Sequence, residues 1–136
     1  MIKYKFLSHT ADVKFKAFGK NINECFENSA YAVINTMYDG KIKSKLKKQI
    51  KLKEKNIESL LYNFLEQILI LIDSENFFIS KVKIKVDEKN FKLNALFWGD
   101  NAKNYNISTD VKAITYNSFF VKKEKGLWIC QVILDV

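Results

Sequence analysis

The chain has 136 residues, enough for one ordinary domain and enough to bury a core without disulfides or a structural metal. Apolar residues make up 48% and aromatic residues 14% of it, which excludes intrinsic disorder. Net charge is +8, yet all the basic residues are lysine, and proline is absent, a composition that fits drift toward AT-rich codons as well as nucleic-acid binding.

Residues 1–19 read as two alternating half-strands. Apolar side chains fall on even positions in the first (Ile2, Tyr4, Phe6) and on odd positions in the second (Val13, Phe15, Ala17). Side chains in a strand alternate with period 2, so the parity change predicts a bulge or sharp bend that takes "HTAD" out of the ladder. His9 and Thr10 are expected to hold that bend by local hydrogen bonds and to leave Asp12 at the edge of a buried strand. Next, "NINECFENSAYAVINTMYDG" places Ile22, Phe26, Ala30, Val33 and Met37 on one helical face, with Asn21 or Asn23 as cap and Asp39-Gly40 as its end.

"KIKSKLKKQIKLKEK" alternates lysine with Ile42, Leu46, Ile50 and Leu52, as a half-buried antiparallel strand or hairpin does. Lys48 falls on the apolar parity, which predicts a turn or bulge near residues 47–49. "NIESLLYNFLEQILILID" is the clearest helix, capped by Asn56, with a broad stripe of Leu60, Leu61, Phe64, Leu65, Ile68, Leu69 and Ile72. Four strands follow, over 77–86, 91–97, 111–121 and 127–136, with a polar loop "GDNAKNYNISTD" between the second and third.

This order predicts an α+β fold spanning 1–136 as one domain. The arrangement is a two-layer sandwich: a largely antiparallel mixed sheet with two amphipathic helices on one face. The longest aliphatic run, Ile68 to Ile72, is too short to cross a bilayer, and no signal-peptide core is evident, so the expected location is cytoplasmic. Cys25 and Cys130 lack a metal-ligand spacing and read as small buried hydrophobes.

No phosphate-loop, dinucleotide, zinc-protease or nucleophile-elbow motif occurs, and the single histidine excludes a multi-histidine metal centre. Carboxylates remain. Asp12 follows the parity change, Asp135 stands in the otherwise apolar end "VILDV" beside Val136, and Asp39 closes the first helix. Carboxylates gathered at sheet ends suit a hard cation such as Ca²⁺ or Mg²⁺.

Four segments in order, "HTADV" at 9–13, "LLYNFLEQILILID" at 60–73, "VKAITYN" at 111–117 and "WICQVILDV" at 128–136, resemble the archease family. The resemblance covers nearly the whole chain. It implies a non-enzymatic accessory protein whose partner is an RtcB-type RNA ligase, acting in tRNA splicing and RNA repair. Such a ligase uses GTP and Mn²⁺ to guanylylate its own histidine before joining RNA ends; the accessory protein promotes that step and restores multiple turnover. Tied to the matching positions, the metal-site residues are Asp12, Asp135 and Val136, the last through a main-chain or terminal oxygen. Lys112 is the functional lysine, and Asp39 a further aspartate of lower rank. The implied cofactor is a divalent metal, Ca²⁺ first, with Mg²⁺ or Mn²⁺ as alternatives. Ser8 and Asn117 replace a glutamate and a histidine common in the family. The alternative is a general RNA-binding or chaperone-like module for tRNA-processing enzymes, motivated by charge. RNA would then be met directly rather than through the ligase, and a stand-alone hydrolase comes third.

Overall fold

A computed structural model describes residues 2–7 and 11–136. The elements run β1 (Tyr4–Leu7), β2 (Val13–Gly19), α1 (Ile22–Met37), β3 (Leu46–Lys53), α2 (Ile57–Glu75), β4 (Phe77–Asp87), β5 (Lys92–Asn101), β6 (Ala113–Glu124) and β7 (Leu127–Asp135). The α+β class holds. The strands divide into two antiparallel sheets, a four-stranded one in the order β1-β2-β7-β6 and a three-stranded one in the order β3-β5-β4.

The N-terminal parity change has a simpler cause than a bulge. β1 and β2 are separate strands that pair antiparallel, Tyr4 with Ala17 and Phe6 with Phe15. Directly opposed residues share a face, and in this register every even position of β1 opposes an odd position of β2. The apolar side chains must therefore change parity between the two strands, and of the expected bulge or sharp bend it is the bend, not a bulge within the ladder, that fits. His9 and Thr10, expected to hold the bend, lie outside the described residues, as does Ser8.

β3 is also continuous, with no shift of register at residues 47–49. Lys48 stays on the inward parity because its long stem reaches the end of the sheet. Its ammonium sits 5.7 Å from the Phe77 ring and pairs with Glu75 at the end of α2. β5 extends beyond the expected boundary through Gly99 to Asn101. Gly99 permits this, because a Cβ there would lie 2.1 Å from the Phe78 carbonyl oxygen. The buried Asp100 then accepts from the Tyr105 hydroxyl at 2.8 Å and the Asn101 N–H at 2.8 Å, which hold its carboxyl below the ordinary range.

Both helices start as read. Asn21 Oδ1 accepts the Glu24 N–H at 2.9 Å, and Asn56 Oδ1 accepts the Ser59 N–H at 2.7 Å. α2 ends on Asn76 in the left-handed region (φ 51°), whereas α1 runs out into extended backbone at Tyr38, before Asp39-Gly40. α1 packs against β2, β7 and β4, and α2 against β6, β4 and β3. A column of Phe26, Phe64 and Phe97 links α1, α2 and β5, with ring centroids 6.3 and 5.9 Å apart. Cys25 and Cys130 face each other inside this core, fully buried and free, and burial pushes the Cys130 thiol well above its ordinary value.

α1 also seals a sheet edge. Side chains at four-residue intervals meet alternate N–H groups of β4: Asn23 Oδ1 accepts from Val86 at 2.8 Å, Glu27 Oε2 from Ile84 at 2.8 Å, and the Tyr31 hydroxyl from Val82 at 3.1 Å. An α-helix advances about 6 Å in four residues and a strand about 6.8 Å in two, so the two repeats stay nearly in step.

Burial raises the Glu27 carboxyl above its ordinary range, against the lowering effect of the Ile84 N–H. A raised carboxyl favours the folded state fully below the unfolded value near 4.5, and that contribution is lost as pH rises through the folded value. Glu27→Gln keeps an acceptor for Ile84 and removes the charge. It should hold stability at neutral pH and flatten the loss above pH 4.5, whereas Glu27→Ala should cost about 1 kcal/mol in urea denaturation.

Candidate functional site

Three of the residues singled out from sequence, Asp12, Lys112 and Asp135, stand at one end of the four-stranded sheet. Asp12 immediately precedes Val13, the first residue of β2, and Val13 opposes Leu134 in β7. Asp135 immediately follows Leu134 and closes β7. The two aspartates are therefore neighbours at the open end of the β2–β7 ladder. On the other side of β7, Ala113 opposes Asp135, and the Lys112 N–H donates to the Asp135 carbonyl oxygen at 2.8 Å. Three chain segments remote in sequence thus meet within one ladder step of one another.

Period-2 packing explains which residues point out. Leu134 is fully buried and Val136 packs against the core, so Asp135 between them is exposed. Val13 likewise packs against the core, with Asp12 half-buried beside it. On the third segment Val111 is buried and Lys112 exposed. Three valines anchor the segments, and the charged neighbours are left at the surface.

Asp39 stands apart from this set, just beyond the end of α1. Its neighbours Tyr38 and Gly40 line a cleft with Lys3 and Tyr4, and Tyr4 opposes Ala17, toward the end of β2 away from Asp12. Asp39 is exposed just beyond Tyr38, whose ring packs edge-on against Phe78 and Tyr105. It does not join the aspartate pair as a further ligand: among the described residues no group of three or more His, Cys, Asp or Glu stands together to hold a metal ion.

The donors present fit a hard cation in part. Two carboxylates and the nearby main-chain oxygens of Asp135 and Val136 are the oxygen ligands that Ca²⁺ or Mg²⁺ takes, but Ca²⁺ needs 6–8 of them. Asp12, Asp135 and Val136 by themselves fall short of that number. Two clefts among the described residues lie elsewhere. One of about 530 Å³ is lined by Glu24, Glu27, Tyr31 and Lys83, another of about 440 Å³ by Lys3, Asn35, Tyr38 and Lys41, and neither includes Asp12, Asp135 or Lys112.

One neighbouring feature escaped the sequence reading. The β6–β7 register shifts between Thr115 and Phe120, where Ser118 takes a positive φ of 54° and its carbonyl accepts from Gln131 at 2.8 Å. The bulge displays Tyr116, 57% exposed, stacked on Tyr62 with ring centroids 3.9 Å apart. The crowding of Tyr116, Phe119 and Phe120 in an otherwise alternating strand was the available signal.

Residues 4–136 match the model of the archease protein family (MTH1598/TM1083). The chain is 35% identical to protein archease of Sulfurisphaera tokodaii over the full length of both, and 33% identical to protein archease of Methanosarcina mazei over 98% of this chain and 96% of that one. Among solved structures it is similar to Methanobacterium thermoautotrophicum protein 1598, with TM-score 0.85, 31% identity, and coverage of 98% and 99% of the two chains. It shares the fold of a Thermotoga maritima archease described as a possible chaperone, with TM-score 0.69, 19% identity, and coverage of 97% and 96%.

If the charged residues of this end serve a site rather than the scaffold, they should be dispensable for folding. Asp135→Asn and Lys112→Ala should each change unfolding free energy by less than about 0.5 kcal/mol, and Leu134→Ala should cost about 2–5 kcal/mol, all read from urea titrations.

Proposed function

Because this chain belongs to the archease family, we propose that it is an accessory protein of an RtcB-type RNA ligase, promoting guanylylation and multiple turnover in tRNA splicing and RNA repair. The observation that carries the reading is the meeting of Asp12, Asp135 and Lys112 at one open sheet end. The description of the Thermotoga protein as a possible chaperone is compatible with an accessory role.

In this reading the Asp12 and Asp135 carboxylates hold a divalent cation, Ca²⁺ in preference to Mg²⁺ or Mn²⁺, with a main-chain oxygen of Val136 beside them. The cation would supply concentrated positive charge at the protein's edge. Two neighbouring carboxylates repel each other, and a cationic neighbour relieves that repulsion. Lys112 performs this role when the metal is away and meets phosphate when the ligase is bound. Its backbone bond to Asp135 keeps it at the site in either case. Asp39 keeps a lower-ranked part in this reading, outside the metal-holding set.

Ca²⁺ should raise the melting temperature, because a ligand that binds only the folded state stabilises it. At ten times its dissociation constant the gain is about 1.4 kcal/mol. A chelator should reverse the shift, and Asp12→Asn or Asp135→Asn should abolish it. No shift at millimolar Ca²⁺, Mg²⁺ or Mn²⁺ would remove the metal from the reading.

Activation is tested separately. With cognate ligase, GTP and Mn²⁺, the wild-type chain should accelerate formation of the ligase–GMP adduct. Asp12→Asn and Asp135→Asn should lose about tenfold or more of that acceleration, about 1.4 kcal/mol of activation free energy. Full acceleration by both variants, or none by the wild type, would contradict the reading.

A further inference from the structure

The outer face of the three-stranded sheet is a charged platform whose rows follow from the strand register. Lys47, Trp98 and Lys81 stand side by side across β3, β5 and β4; the next row is Gln49, Leu96 and Lys83, then Lys51, Asn94 and Lys85, then Lys53, Lys92 and Asp87. Strand spacing makes this a patch of roughly 20 Å by 10 Å. The face carries seven lysines against one acid, and the Asp87 carboxylate is engaged by Asn90 and by the N–H groups of the β4–β5 turn. Among the described residues the ion pairs at contact distance are Lys48–Glu75 and Lys122–Glu124, so none of these seven lysines is in a contact ion pair, and the longer-range attractions are those of Lys92 to Asp87 and Lys83 to Glu27.

Two bland explanations of such lysines fall short here. Lysines on an exposed edge strand deter pairing with other chains, which accounts for Lys47, Lys51 and Lys53 on the β3 edge. It does not account for Lys92 in the central strand or for Lys81, Lys83 and Lys85 on β4, whose edge α1 already covers through Asn23, Glu27 and Tyr31. Codon drift accounts for lysine in place of arginine, but not for a half-buried tryptophan in the central strand. The Lys47 and Lys81 ammonium groups lie 5.3 and 5.1 Å from the Trp98 ring centroid. That ring gathers two cations at the surface.

The geometry points to this face as a docking surface for single-stranded RNA, with phosphates on the lysine rows and an unpaired base on Trp98. An extended flat face with repeated cations and an aromatic ring is the arrangement that tracks a single strand. Protein interfaces, by contrast, are depleted in lysine. A duplex presents no free base face to Trp98. The inference goes beyond ligase activation and does not rest on it, since the face is on the other sheet from Asp12, Asp135 and Lys112.

The test is fluorescence anisotropy of a labelled short single-stranded RNA of mixed sequence, titrated with the full chain at several salt concentrations. Binding should weaken linearly in log–log form with salt. The variant Lys51→Gln/Lys83→Gln/Lys85→Gln should bind at least about tenfold more weakly and reduce the steepness of the salt slope by about 2, at roughly 0.7 per phosphate contact. Trp98→Leu should weaken binding about tenfold with the slope unchanged. The control Lys5→Gln/Lys14→Gln/Lys16→Gln, on the outer face of the other sheet and with the same charge loss, should leave affinity within about twofold. Circular dichroism verifies that each variant is folded. Any of the following would overturn the inference: no binding at low salt, equal loss in the control, tight binding of Trp98→Leu, equal affinity for duplex, or equal competition by polyglutamate.

Discussion

The structure depends on α1 serving two sheets at once. Its apolar face packs on β2 and β7, where Cys25 meets Ala17 and Cys130, while Asn23, Glu27 and Tyr31 bind the backbone of β4. A helix held only by its apolar stripe can slide or rotate within a soft groove. Three hydrogen bonds to a strand edge at matched repeats remove that freedom. They also satisfy N–H groups that would otherwise be left to solvent or to another chain.

With α1 and the sheets locked together, the four-stranded sheet has a defined end, and the charged residues collect there as a consequence of register. β2 begins where β7 ends, and β6 begins beside them, so Asp12, Asp135 and Lys112 are brought together by ladder pairing rather than by a dedicated loop. Building a charged site on paired strands keeps its spacing fixed, since a slip of one residue would turn Leu134 outward and Asp135 into the core. The same alternation clads the outer face of the other sheet in lysine. The protein is therefore polarised, with carboxylates at one sheet end and a field of ammonium groups on another face.

Much of this was legible in the chain. The two helices, their asparagine caps and the four C-terminal strands follow from period and capping chemistry, and the α+β class follows from their order. The aspartates were legible from motif order, because no periodicity argument brings residues 12 and 135 together. What escaped has physical causes. The parity change before Val13 came from antiparallel pairing between separate strands, which local alternation cannot distinguish from a bulge. Lys48 read as a break because patterning treats lysine as polar, whereas its stem covers apolar surface beside Phe77. Division into two sheets and the sealing of β4 depend on partners more than fifty residues apart, Asn23 with Val86 and Glu27 with Ile84. The β6 bulge at Ser118 is stabilised by a Gln131 bond equally invisible in one dimension.

The central claim is that the strand ends carrying Asp12, Lys112 and Asp135 meet the ligase. Amide NMR spectra of the isotopically labelled chain, recorded alone and with an RtcB-type ligase, test it most directly. The account predicts perturbations centred on residues 11–13, 111–113 and 134–136, with the amides of α2 and the three-stranded sheet unchanged apart from uniform broadening. Perturbation centred on α2 or the three-stranded sheet, with those nine positions unmoved, would contradict it.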